Sequence, residues 1–170
     1  DQSVSSTVYK DTWAWNGTIW TQLADGPYER QRGRMVYRGA PHNDLLWYGG
    51  RDEFNNGLDE TWSFNGTSWS QIVTASAPYS PGVWAFGMYH DSVRDRVVFF
   101  GGSQGGVEKN QTWEFDGTDW TEVFPATVPG IRSGQASAWV ASANSATMYG
   151  GFSATQKDDT WTRGAYAGTG

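Results

Sequence analysis

The sequence predicts an all-β chain of repeated four-stranded antiparallel units, on three observations. The 170 residues include 22 Gly, 11 Trp, 8 Tyr and 8 Phe, and aromatic residues favour pleated, half-buried surfaces while Gly supplies the turns between them. The triplet Asp11-Thr12-Trp13 recurs as Glu60-Thr61-Trp62, Gln111-Thr112-Trp113 and Asp159-Thr160-Trp161, at steps of 49, 51 and 48 residues. A glycine pair recurs at Gly49-Gly50, Gly101-Gly102 and Gly150-Gly151. Self-similarity at a near-constant period marks a row of stacked units, and no segment has the spacing of a convincing helix.

Each unit reads as strands A to D. Strand A ends near Tyr37, Tyr89 and Trp139, and strand B is the apolar run before the glycine pair, Leu45-Leu46-Trp47-Tyr48, Val97-Val98-Phe99-Phe100 and Thr147-Met148-Tyr149. Strand C begins at the Thr-Trp. Strand D carries a second Trp, so that Trp13 and Trp20, Trp62 and Trp69, and Trp113 and Trp120 lie seven residues apart. Between them stand Asn16-Gly17, Asn65-Gly66 and Asp116-Gly117. Asn-Gly and Asp-Gly tolerate the positive φ angles of a type I′ hairpin turn, which predicts that the two Trp of each pair pack across their strands.

The chain reads as one domain over residues 1–170, with a partial unit (strands C and D) at 8–23, complete units at 24–72 and 73–123, a partial unit (A, B and the start of C) at 124–163 and a tail at 164–170. Trp161 has no aromatic partner seven positions on, because position 168 is Gly.

Charge and composition exclude several classes. Lys plus Arg number 12 against 18 Asp plus Glu, a net charge of -6, and no basic cluster is present to neutralise phosphates, so nucleic acid is not an expected partner. The longest apolar runs, four residues each, fall far short of the roughly 20 that span a bilayer. With no cysteine the chain has no disulfide, thiolate nucleophile or Cys-ligated zinc. Asp1 in first place reads as a mature, processed or trimmed form.

The glycine pair after an apolar strand, followed by two aromatics separated by six residues in units of about 50, resembles the Kelch repeat family over roughly residues 8 to 163. Arg94 to Gly102 and the Asp116-Gly117-Thr118-x-Trp120 hairpin are similar to its bacterial-style members. The resemblance implies Kelch-type β-propeller blades, one per unit, with strand A nearest the central channel and strand D outermost. Six or seven blades are usual in the family, and propellers close with about four to eight. Roughly three blades per chain make half a propeller or part of a larger ring. One expectation is therefore a homodimer forming a six-bladed ring, two of its blades composite, with Trp161 outside the ring or at an edge. The other is a fragment or subunit of a larger propeller.

The chemistry-bearing residues are sparse. His42 and His90, the two histidines, align to different positions of their units and predict no convergent site. Some Kelch-type propellers resemble galactose oxidase, whose copper chemistry needs a cysteine that this chain lacks. Asp52-Glu53, Asp59-Glu60 and Asp158-Asp159 match no EF-hand spacing and read as solvated loop residues. No cofactor and no metal is expected. The segments from D into A, Pro27-Tyr28-Glu29-Arg30, Pro78-Tyr79-Ser80-Pro81 and Pro129-Gly130-Ile131-Arg132, recur after each strand D. By the resemblance they cross one face toward the channel mouth. Arginine and exposed aromatics are enriched at binding surfaces, which makes Tyr28, Arg30, Tyr79, Trp84, Arg132 and Gln135 the contact candidates. The alternative is that the arginines bond loop carbonyls between units. The B-to-C loops, 51–58, 103–110 and 153–158, vary most and form a second candidate surface.

The leading functional reading is a non-catalytic module, extracytoplasmic, that binds a protein partner or assembles with itself. A second is a carbohydrate-binding module using Tyr28, Phe54, Tyr79 and Trp84, since aromatic faces stack on sugars. A third is an enzyme with Glu29, Arg30 and Arg132 at a channel mouth. Sequons at Asn16, Asn65 and Asn110 carry no conclusion, since two of them coincide with the hairpin turns.

Overall fold

Short strands rich in aromatic and β-branched residues pair with their sequence neighbours whenever a tight turn reverses the chain. The computed structural model, which describes residues 7–164, is accordingly all-β and built from antiparallel sheets. A hairpin of β1 (Trp13–Trp15) and β2 (Trp20–Gln22) comes first. A four-stranded sheet follows in the order β3 (Arg34–Arg38), β4 (Asp44–Tyr48), β5 (Thr61–Phe64), β6 (Trp69–Ile72). The second four-stranded sheet runs β7 (Gly87–Asp91), β8 (Arg96–Phe100), β11 (Thr112–Phe115), β12 (Trp120–Val123), with the ribbon β9 (Ser103–Gln104) and β10 (Val107–Glu108) in its middle loop. The last sheet has three strands, β13 (Ala136–Val140), β14 (Ser145–Tyr149) and β17 (Thr160–Gly164), with the ribbon β15 (Phe152–Ser153) and β16 (Thr155–Gln156) in its loop. Among the described residues the one helical element is a 3-10 turn at Ala141–Ala143. Residues 165–170 of the expected tail lie outside the described residues.

The hairpin register corrects the sequence expectation. Trp15 faces Trp20, Phe64 faces Trp69 and Phe115 faces Trp120, while Trp13, Trp62 and Trp113 face Gln22, Gln71 and Glu122. The turn sits one residue later than a type I′ Asn-Gly turn would put it. Positive φ falls at Gly17 (97°), Gly66 (94°) and Gly117 (104°) but not at the preceding Asn or Asp. That residue instead caps the turn with its side chain: Asn16 Oδ1 accepts from the amides of Thr18 (2.9 Å) and Ile19 (3.0 Å), and Asp116 Oδ1 from those of Thr118 (2.8 Å) and Asp119 (2.9 Å). Asx side chains bond the backbone two residues on in just this way. A one-residue slide of the turn moves the pairing by two, which replaces the Trp–Trp pair by an aromatic pair between strand C's end and strand D's start.

The main core lies between the first and second four-stranded sheets, where Leu46, Tyr48, Phe86, Phe99, Phe115 and Trp120 are buried together. Ring centroids stand 4.4 Å apart for Phe86 and Phe99 and 4.9 Å for Tyr48 and Trp120, within aromatic packing distance. A smaller cluster of Tyr89, Val98, Ala146 and Trp139 joins the second sheet to the third. The first strands of the three sheets pack side by side, β3 on β7 and β7 on β13. Both residues of each glycine pair have positive φ, and a Cβ on Gly50 would stand 2.6 Å from the Gln31 carbonyl oxygen. The pair thus admits a close crossing: Gly50 N–H donates to Val83 O and Gly102 N–H to Arg132 O, each at 2.9 Å, drawing in the segment that leads to the next sheet.

Candidate functional site

Each segment that enters a sheet reaches across to the residue preceding that sheet's Thr-Trp. Arg30 bonds Glu60 at 3.1 Å, and Tyr28 donates its hydroxyl to the same carboxylate. Burial, and then Glu60, pushes the Tyr28 phenol above its ordinary value. In the second sheet the Trp84–Ser103 bridge, equivalent to Gln31–Arg51 and Ser133–Phe152, puts Val83, not Gly82, in the arginine's place, and the Tyr79 hydroxyl bonds Gln111 instead, with burial raising its pKa. In the third sheet Arg132 grips Asp159 in a two-point fork (2.6 and 2.8 Å) and also donates to the carbonyls of Gly130 and Gly150. The Arg132 fork, joined by Trp161 Nε1, holds the Asp159 carboxyl well below the usual aspartate range.

The six contact candidates therefore divide by exposure. Arg132 and Gln135 are buried at 2% exposure each, and Gln135 Nε2 donates to Phe100 O at 2.8 Å. Their polar groups tie crossing segments to sheets. The Arg30 side chain is 6% exposed. Tyr79 is half-buried against Phe99, and Trp84 is half-buried with the Arg51 guanidinium 5.4 Å above its ring. Tyr28, at 39%, is the most exposed of the six. Arg30 and Arg132 serve separate carboxylates in separate sheets, Glu60 and Asp159. Of the acidic pairs, Asp52 caps its own loop by accepting from the amides of Phe54 and Asn56, and among the described residues no group of three His, Asp or Glu could hold a metal ion.

Two features escaped the sequence reading. His42, in the β3–β4 turn, and His90, on β7, each bring Nε2 to 3.0 Å from a different oxygen of Asp95 in the β7–β8 turn. These bonds, His90's first, lower the Asp95 pKa, and through His42 the carboxylate ties the first sheet to the second. The histidines' different repeat positions concealed this, because they meet on a third residue and not on each other. The second feature is a bond between successive sheets. Trp69 Nε1 donates to Thr12 Oγ1 at 3.0 Å and Trp120 Nε1 to Thr61 Oγ1 at 2.8 Å, so strand D of one unit fastens to strand C of the one before. The signal was present in the Thr that always precedes Trp: Thr61 is 1% exposed, and a buried hydroxyl requires a partner.

Cavities lie at both ends of the row. One of about 320 Å³, between the β1–β2 hairpin and the first four-stranded sheet, is lined by Trp13, Trp47, Trp62, Trp69 and Tyr28. The other, about 360 Å³, lies between the second and third sheets and is lined by Val98, Thr112, Met148, Trp161 and Arg163.

These features define an all-β protein of consecutive antiparallel sheets tied by side-chain bonds from each unit to the next. Among solved structures it is similar to that of YjhT, with a TM-score of 0.69 and 15% identity over 88% of this chain and 47% of that one. The chain spans about half the length of that protein (47%), and the likeness is one of fold. No family model and no curated protein matches the chain. No helix among the described residues is long and apolar enough to cross a membrane.

Proposed function

We propose that the chain is a Kelch-type β-propeller segment and a non-catalytic interaction module, in which each sheet is a blade, β3, β7 and β13 line the channel side, and the working surfaces are the open ends of the row. The observation that carries this reading is the Trp-to-Thr bond. It joins the first four-stranded sheet to the hairpin and the second four-stranded sheet to the first, then stops with Thr112 unbonded by any indole among the described residues at one end and Trp20 62% exposed at the other. A row of units that stack by one repeated device is extended by further units, whether of the same protein, of a partner or of another copy, and such a surface suits protein binding. Exposed Tyr28 and half-buried Trp84 are then rim contacts for that partner.

The five aromatic rings of the 320 Å³ cavity favour carbohydrate binding as a second reading. Sedimentation velocity and a glycan array separate the two. Self-association, or defined binding to a protein, without glycan binding at millimolar ligand is the expected result. A monomer that binds glycans through Trp13 and Tyr28 would replace the first reading by the second.

A further inference from the structure

The geometry points to a modification site in each of the first two hairpins: Asn16 and Asn65 are set to lose their side-chain amide as ammonia, through attack by the backbone nitrogen of Gly17 and Gly66, while the third Asn-Gly of the chain, Asn56-Gly57, is held unreactive. Sequence alone gives the three dipeptides equal standing. The folded surroundings separate them.

The reaction needs a backbone nitrogen that can give up its proton, an electrophilic Cγ beside it and room for a five-membered ring. The β5–β6 turn meets all of these. Asn65 Oδ1 accepts from the amides of Thr67 and Ser68, both at 2.9 Å. Two donors on one amide oxygen draw electron density from Cγ and stabilise the oxyanion that forms on attack, as backbone N–H pairs do in enzymes of acyl transfer. The Thr67 bond also closes a loop of atoms that contains both Asn65 Cγ and Gly66 N, which folds the electrophile back toward the nucleophile. The Gly66 N–H has no acceptor among the described residues, and an added Cβ there would meet nothing within 4 Å. The β1–β2 turn repeats the arrangement: Asn16 Oδ1 accepts from Thr18 and Ile19, and Gly17 is likewise unbonded and open.

Asn56 differs in the electrophile and in the room. Its Nδ2 donates to Asp52 Oδ2 at 2.8 Å, which places a negative charge beside the carbon where the oxyanion would form, and no donor among the described residues bonds its Oδ1. Gly57 packs on Gly82, where an added Cβ would stand 2.9 Å from the backbone, and a bridge to Arg51 holds it in place. Asn110 is a second internal control. The nitrogen that would attack it, that of Gln111, donates to the Tyr79 hydroxyl at 3.1 Å.

The chemistry consumes only water. Gly66 N gives its proton to hydroxide and bonds Cγ, the Cγ–Nδ2 bond breaks, and the amide nitrogen leaves as ammonia. Water then opens the ring: at the former side-chain carbonyl it leaves aspartate, at the main-chain carbonyl isoaspartate. The aspartate product has a precedent in the third hairpin, where Asp116 Oδ1 accepts from Thr118 and Asp119 at 2.8 and 2.9 Å. The isoaspartate product inserts a methylene into the main chain and undoes the register that sets Phe64 opposite Trp69.

Peptide mapping by mass spectrometry tests this on the native full chain, held at mildly alkaline pH and sampled over weeks. Peptides holding Asn16 and Asn65 should show the mass gain of amide-to-acid conversion about tenfold or more faster than those holding Asn56 and Asn110, a small part of what oxyanion donors supply in enzymes. Isoaspartate should stand among the products, since the cyclic route makes it and direct hydrolysis does not. In denaturant, which removes the folded surroundings, Asn56 should convert as fast as Asn16 and Asn65. Equal rates at the three Asn-Gly dipeptides of the folded chain overturn the assignment. So does a folded chain in which Asn16 and Asn65 stay intact while the denatured chain converts. Aspartate without isoaspartate removes the glycines from the reaction and overturns it as well.

Discussion

Trp120 and Trp20 hold the same place in their repeats, seven residues after the Trp of a Thr-Trp and just beyond a glycine-bearing turn. One is 1% exposed and the other 62%. Trp120 has a sheet on each side: it meets Phe115 on its own hairpin and Tyr48 across the gap, and it donates to Thr61. Trp20 meets Trp15 at 5.4 Å and has no neighbouring sheet beyond it among the described residues. The difference teaches that the core of this protein is not inside any unit. It lies between units, so the same residue type is core or surface according to whether a next sheet exists, as expected of a chain whose stability is a sum of neighbour interfaces.

Substitution at the two tryptophans gives the largest contrast. Trp120→Ala should lose about 3 to 5 kcal/mol in chemical denaturation, the range for removing a fully buried large aromatic. Trp20→Ala, measured at concentrations where the chain is monomeric, should lose about 1 kcal/mol or less, since surface changes lie near that limit. Equal losses at the two sites would break the comparison. The threonines sharpen it. Thr61→Val leaves the buried Trp120 N–H without its acceptor and should cost about 1 to 3 kcal/mol, against about 0.5 kcal/mol for Thr12→Val, where the indole of Trp69 is partly wet.

The turn carboxylate between β7 and β8 ties the two best-packed sheets. Asp95→Asn keeps the shape and the tolerance of positive φ, here 52°, but weakens the bonds from His42 and His90. It should cost about 1 kcal/mol, and hydrogen exchange should quicken in β3 and β7 ahead of β11. The smallest effect concerns the hairpins. Asp116 is the one charged residue at a position that Asn16 and Asn65 fill elsewhere, and the amide of Asp119 with the hydroxyl and amide of Thr118 hold its pKa down, from 3.8 to about 2. A depressed carboxylate adds stability that is present above its unfolded value and is lost as pH falls through the folded one. The stability lost between pH 4 and about 2 should therefore be partly removed in Asp116→Asn, and unchanged acid sensitivity would show that this turn contributes nothing to it.

Much of the local structure is legible from the residues. The apolar runs before the glycine pairs are strands β4, β8 and β14, and the Thr-Trp triplets open β5, β11 and β17. The hairpin register is also encoded, but in the Asn-Gly-Thr and Asp-Gly-Thr side-chain caps and not in the Asn-Gly dipeptide on which a type I′ turn is based. Arg132 and Gln135 read as contact candidates because arginine is enriched at binding surfaces, with bonds from the arginines to loop carbonyls as the alternative. Both are buried, because a chain crossing between sheets leaves carbonyls and a carboxylate that need donors. The ribbons β9–β10 and β15–β16 fall in the B-to-C loops, whose variation between units reads as a second candidate surface and gives no sign of strand pairing.

By itself the sequence determined the period, the all-β class and the strand positions, because turns and pleated surfaces are selected by residues a few positions apart. Only the tertiary structure decided which tryptophans are core, that Asp95 receives both histidines, and which threonine each buried indole bonds. Those depend on which unit lies next to which, and residues 40 to 60 positions apart, such as Trp120 and Thr61 with a separation of 59, leave no mark on each other in a single sequence.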